Sequence, residues 1–289
     1  MIVALFVILL HMAAAVLLGW GYFRRYSVSR PPIGVFNLWD IAIMIGGIIL
    51  VPYLYLILPI WLVASLLALG IVSVLYFVWE PVLRARWAIW LVTLVLLAAD
   101  IGVVVWYGPA TGLFFAVNNI VLAMAIVGIT NLWAQNGMKA RDVAILAGML
   151  AIYDVIVTSL LSQTADLFGR LFVLPFAPII AWPLGAEGEW LGIGMGDMLL
   201  ATVFPLVMRK AFGRAAGIAS LVSNLGLIVA LLTLGVLFRV RILFPVMVLL
   251  GPLIVLQYAY WRRRMGRERT TRQYLQAEPV HGHAATLNG

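Results

Sequence analysis

Nothing limits what this chain can fold into more than its succession of long apolar runs. One crossing of a bilayer's hydrocarbon core takes about twenty apolar residues. Runs of that kind lie near 2–22, 38–57, 60–79, 87–107, 113–133, 143–163, 191–209, 215–237 and 242–261. The stretch 38–79 is almost unbroken, and one helix across it would overshoot the membrane, so a turn is expected near Pro59. With 65% apolar residues the chain lies far above the roughly one-half usual for soluble domains. The expectation is an all-α membrane protein with nine transmembrane helices. The first run has no basic residues ahead of it and continues past Ala13–Ala15, so it reads as a retained span rather than a cleaved signal.

Charge sets the direction. With the N-terminus outside, sixteen Lys and Arg fall on the inner side, in loops carrying Arg24, Arg25 and Arg30; Arg84 and Arg86; Lys139 and Arg141; Arg209, Lys210 and Arg214; and in a tail with six Arg from Arg262 to Arg272. Only three, Arg170, Arg239 and Arg241, fall outside. The positive-inside bias therefore predicts N-out and C-in. Compact loops and a cysteine count of 0 point to a prokaryotic plasma membrane, with the C-terminus cytoplasmic. Without cysteine there is no disulfide, thiol catalysis or thiolate metal site. The net charge of +8 is dispersed over loops and tail with no nucleic-acid module between them. Anionic lipid at the basic tail is the expected partner, and nucleic acid is not. The chain divides into a membrane bundle of spans one to five (1–142), a catalytic bundle of spans six to nine (143–261), and a basic tail (262–289) without apolar periodicity, read as disordered.

Three acids fall well inside the spans: Asp100, Asp154 and Asp197. An Asp at a helix centre costs about 2.5–3.5 kcal/mol on insertion, so function is the default reading. Asp154 lies about 17 Å up from the inner end of span six, and Asp197 about 18 Å up from the inner end of span seven, at 1.5 Å per residue. Antiparallel neighbours thus bring two carboxylates to one depth. Asp100 sits higher, about 21 Å from Arg86, and reads as a supporting or folding residue. Gly192, Gly194 and Gly196 precede Asp197. They allow close backbone approach and loosen the helix start; a Gly192/Gly196 helix-packing seam is the alternative. Two carboxylates in contact share one proton over a broad pH range. One then takes a proton from an attacking water while the other hydrogen-bonds the amide carbonyl, which is acid–base hydrolysis without a metal or cofactor. Which Asp is the base stays open.

At these residues the chain resembles the presenilin and signal-peptide-peptidase family of intramembrane aspartyl proteases. Tyr153-Asp154 matches its Tyr-Asp pair, and Gly194-Met195-Gly196-Asp197 its Gly-x-Gly-Asp. Pro245-Val246-Met247 stands where the family carries Pro-Ala-Leu, with only the proline kept. The resemblance implies a presenilin-like fold and catalytic Asp154 and Asp197, with Tyr153, Gly194, Gly196, Pro245, Val246 and Met247 supporting the site. Its substrates would be transmembrane or signal-peptide segments. The charge-derived orientation is that of the signal-peptide-peptidase branch, whose enzymes favour segments with the N-terminus inside.

Between the two acids, Leu171 to Trp182 is apolar, too short to cross, and broken by Pro175 and Pro178. It reads either as a membrane-dipping flap whose strand pairs with an unwound substrate, or as an apolar outer loop. Asn118, Asn119, Asn131, Ser220, Ser223 and Asn224 read as interhelical hydrogen-bonders, and His11 as a buried partner. His281 and His283 read as a stray polar end. Tyr153 either steadies a carboxylate or packs. The rival functions are a transporter or channel using the paired acids for protons or cations, a prepilin-peptidase-type protease, and a scaffold that retains the pair.

Overall fold

A computed structural model describes residues 2–28, 36, 38–109, 111–160, 167, 169–184, 190–238, 246–266, 268, 269 and 273. Pro245, Arg239, Arg241, His281 and His283 lie outside the described residues. The helices are α1 (Ile2–Arg25), α2 (Leu38–Ile57), α3 (Ile60–Trp79), α4 (Arg86–Tyr107), α5 (Gly112–Gln135) and α6 (Ala140–Leu160). A two-stranded antiparallel hairpin follows, β1 (Ile179–Pro183) and β2 (Trp190–Gly194). Then come α7 (Met195–Phe212), α8 (Arg214–Leu237) and α9 (Met247–Met265). The architecture is therefore helical with one added hairpin. Six helices, α1 to α5 and α8, are long and apolar enough to cross a membrane. Charges on the other three are Arg141, Asp142 and Asp154 on α6, Asp197, Arg209 and Lys210 on α7, and Arg262–Arg264 on α9. Trp39, Trp61, Trp87 and Trp106, each near a helix end, face outward, as interfacial rings do. This is a multi-pass integral membrane protein.

Helix ends follow local chemistry. Pro59 is the N-cap of α3, so the long apolar run does turn there. Thr111 caps α5 by accepting from the Phe114 amide at 3.2 Å. Arg170 donates to the Leu56 carbonyl and, at 2.6 Å, to the Leu58 carbonyl, closing the end of α2.

Helix α5 is buried on nearly every side, with α1, α3, α4, α7 and β1 around it. Helix α7 is the second inner rod, packed on α8, α5, α1 and α6. Helix α2 is peripheral and buries only Ile41. One apolar core runs from Ile8 and Met12 through Leu122 and Leu146 to Phe204 and Leu250. The expected boundary at 142/143 falls inside α6, and this core continues across it.

Contacts gather the basic helix ends on one face. The Lys210 ammonium donates to Ala134 O at 3.0 Å, and the Arg209 guanidinium stacks 5.1 Å from the Trp20 ring. The Tyr22 hydroxyl donates to Val78 O at 2.9 Å, and Gln135 holds Tyr26 O and the Val28 amide. The hairpin occupies the opposite half of the molecule, against the N-terminal half of α5.

The start of the tail departs from expectation. Helix α9 continues past Trp261 to Met265, because Arg262, Arg263 and Arg264 complement the negative helix end. Beyond it, Glu268 Oε1 accepts from the Ala140 amide at 2.9 Å and Oε2 from the Tyr258 hydroxyl at 3.3 Å. The tail thereby caps α6, the helix that carries Asp154. Burial, and secondarily the Asp142 carboxylate, push Glu268 above the ordinary glutamate range, while the Ala140 amide pulls the other way. Because the docked acid binds protons more tightly than the free one, docking is firm in acid and loosens as pH rises through the raised value. The protection factor against hydrogen exchange at the first turn of α6, taken relative to the intrinsic rate at each pH, should therefore fall with rising pH in that window. Glu268→Gln should remove the pH dependence, and Glu268→Ala should give fast exchange at every pH.

Candidate active site

The hairpin is held from one side. Asn119 donates to Ala181 O at 3.0 Å and accepts from the Ala181 amide at 3.1 Å, so its carboxamide pairs with β1 as a neighbouring strand would. Asn118 donates to Ala177 O at 3.0 Å and Ile179 O at 3.1 Å. The two asparagines bond across elements, to the hairpin rather than to a second helix. Asp100 has the folding role: its fully buried carboxylate accepts from the Phe176 amide at 2.6 Å, where Phe176 adopts a φ of 61°. That interaction fixes the bend leading into β1. The apolar segment Leu171–Trp182 is thus packed, with Phe172, Phe176, Ala177, Ile179 and Ile180 buried.

Asn119→Ala would orphan both main-chain groups of Ala181 in an apolar setting, at about 1–3 kcal/mol for each group. A lower midpoint of thermal unfolding and fast exchange of the Ala181 amide are the expected results.

Ala181 pairs opposite Gly192, and its main-chain groups point toward α5. In an antiparallel ladder this makes Ala181–Gly192 the non-hydrogen-bonded pair, so the Gly192 N–H and C=O point to the far edge of β2. No further strand lies on that edge among the described residues. A Cβ on Gly192 would meet Ala181 Cβ at 2.7 Å and Ile180 O at 2.9 Å. Gly192 thus serves close strand pairing. The alternative of a Gly192/Gly196 helix seam fails, because Gly192 is in a strand and Gly196 in the next helix.

Gly194 ends β2 and is the N-cap of α7, with extended backbone, φ −61° and ψ 143°. The expected helix over 191–209 therefore starts four residues late, at Met195. Asp197 is the third helical residue and reaches back to the Gly194 amide, half of a capping box. A Cβ on Gly194 would lie 3.2 Å from Asp197 Oδ2, so a side chain there would crowd the carboxylate. A Cβ on Gly196 meets nothing within 4 Å, leaving open space beside Asp197.

Asp154, two turns from the end of α6, faces the start of α9, where the Met247 amide serves its carboxylate. Val246 caps α9, and Val246 and Met247 are both buried. Gly251, one turn on, lets α9 press against α6: a Cβ there would sit 2.5 Å from Ala147 O and 2.7 Å from Ala151 Cβ. Tyr153 lies beside Tyr53 of α2 as well as beside Asp154.

The Asp154 carboxylate is within electrostatic reach of Asp197. Two acids on successive long helices thus lie close enough to sense one another's charge, each served by one amide from a helix start. Asp142 caps α6 in the same way, with the Glu268 carboxylate in electrostatic reach. At the same position of α6 it accepts from the Lys139 amide at 3.2 Å, and it has an arginine beside it, Arg141, at 3.4 Å.

No protein-family model matches this chain, and no curated protein matches it. The chemistry is therefore read from the residues and their arrangement.

Proposed function

We propose that the chain is an intramembrane aspartyl protease of the presenilin and signal-peptide-peptidase kind. In this reading all nine long helices span the bilayer, the N-terminus is outside and the C-terminus is cytoplasmic. What supports the proposal is that Asp154 and Asp197, on successive long helices, lie within electrostatic reach of one another with a main-chain amide at each carboxylate.

The chemistry needs one proton on the pair. The ionised carboxylate takes a proton from water as the water oxygen bonds to the amide carbon, and the protonated carboxyl hydrogen-bonds the carbonyl oxygen. In the resulting diol the carboxyl that took the water proton passes it to the amide nitrogen, the other carboxylate takes a proton from a diol hydroxyl as the C–N bond breaks, and the pair is again as it began, with one proton. Either Asp serves as base.

A helical substrate must first be unwound, since its own hydrogen bonds hide the amide. The open edge of β2, with the Gly192 N–H and C=O, offers replacement partners, and a segment added there runs past Gly194 toward Asp197. The space beside Gly196 suits a backbone close to the acids.

The test is reconstitution into vesicles with a single-span helical substrate. Cleavage inside its apolar segment, absent in Asp154→Ala and in Asp197→Ala, supports the protease. Cleavage that persists in either variant removes the dyad. Proton or cation flux with intact substrate assigns the pair to transport.

A further inference from the structure

At the basic face, far from the two acids, α1, α3 and α5 leave a groove of about 460 Å³. Its walls are apolar, with Leu17, Leu18, Val78, Met124 and Val127 among them, and Gly21 sits in the wall of α1. Arg24 and Arg25 line the same groove at the end of α1, both exposed, and neither forms a salt bridge with an acid among the described residues. Tyr22, Tyr26 and Trp79 supply rings where headgroup meets chain. An acid, Glu80, lies within electrostatic reach of Tyr22 and marks the side that an anion avoids.

An apolar trough ending in two arginines matches one amphiphile: a chain below and a negative headgroup above. We propose that this groove binds one anionic phospholipid from the leaflet on the basic face, its phosphate on Arg24 and Arg25 and its acyl chain along Leu17, Val78 and Met124. The volume falls in the range of about 300–1,000 Å³ typical of small-ligand pockets and takes the headgroup and upper chain, leaving the rest in the bilayer. This site is separate from the basic tail and does not depend on the protease reading.

Native mass spectrometry of the full chain, extracted from vesicles of phosphatidylglycerol and phosphatidylcholine, tests it. The wild type should retain one phosphatidylglycerol through delipidation. Arg24→Gln/Arg25→Gln should weaken retention roughly thirty-fold, from about 1 kcal/mol per basic contact. Gly21→Leu supplies the second arm. A Cβ at Gly21 meets nothing within 4 Å, so the larger side chain fits the fold yet fills the groove, and retention should fall with both arginines intact. Undiminished retention in either variant overturns the proposal, as does equal retention of phosphatidylcholine by the wild type. Displacement by soluble glycerol phosphate would show that the arginines bind phosphate without the chain, and would equally overturn it.

Discussion

Asp154→Asn and Asp197→Asn are each expected to lower substrate cleavage by about four orders of magnitude while leaving a folded protein. Asparagine keeps an oxygen for the Met247 or Gly194 amide, so the local hydrogen bonds survive. What is lost is the shared proton: a carboxamide neither takes one from water nor lends one to the carbonyl. Because the two acids act as a unit, the double variant should be no slower than either single one. Asp142→Asn is the contrasting case. Asp142 occupies the same capping position on α6, has Arg141 at 3.4 Å, and sits about three helical turns from Asp154, so that variant should keep its cleavage. Initial rates on a reconstituted helical substrate, with thermal unfolding in parallel, separate the two behaviours.

The second large effect is steric. At Gly251 a Cβ would sit 2.5 Å from the Ala147 carbonyl oxygen and 2.7 Å from Ala151 Cβ. Backbone on one side and a methyl on the other leave no rotamer to absorb the strain. Gly251→Ala should therefore destabilise by about 1–3 kcal/mol, and Gly251→Leu by more. The damage reaches the site, because Ala151 is one helical turn from Asp154 and Gly251 one turn from Met247. Parting α6 from α9 withdraws the amide from the carboxylate, so cleavage should fall further than the lost folded fraction explains. Gly226 on α8 is the control. A Cβ there meets nothing within 4 Å, and Gly226→Ala should be neutral or gain up to about 1 kcal/mol from helix propensity. Thermal midpoints of the three variants in one detergent decide the matter.

Hydropathy located the nine long helices among the described residues to within a few residues at most ends, because length and apolar content are local properties. Pro59 likewise announced its turn through its own backbone. The misjudged stretch, 191–194, shows the limit. Its residues are apolar enough to extend the following helix, yet glycine is a poor helix former and the stretch pairs with Ile179–Pro183, a partner that no local pattern names. The same holds for Asn118 and Asn119. Their burial among apolar neighbours foretold hydrogen bonding, but not that the acceptors would include the strand carbonyls of Ile179 and Ala181, some sixty positions away. Asp154 and Asp197 were legible as costly acids at one depth, and the resemblance pointed to the same two. Neither disclosed the amides of Gly194 and Met247 that serve them. Glu268 was the least legible, since an acid in a polar, arginine-rich tail reads as solvated until α6 is seen to end beneath it.

The proposed pairing of Asp154 with Asp197 can be tested directly, because the chain has no native cysteine. In Asp154→Cys/Asp197→Cys the two introduced thiols are the only ones in the chain. Treated in membranes with a short bifunctional thiol reagent, this variant should form an intrachain link as completely as Ile180→Cys/Ile193→Cys, whose residues pair directly across the hairpin. A full link in the hairpin pair and none between positions 154 and 197 would contradict the account.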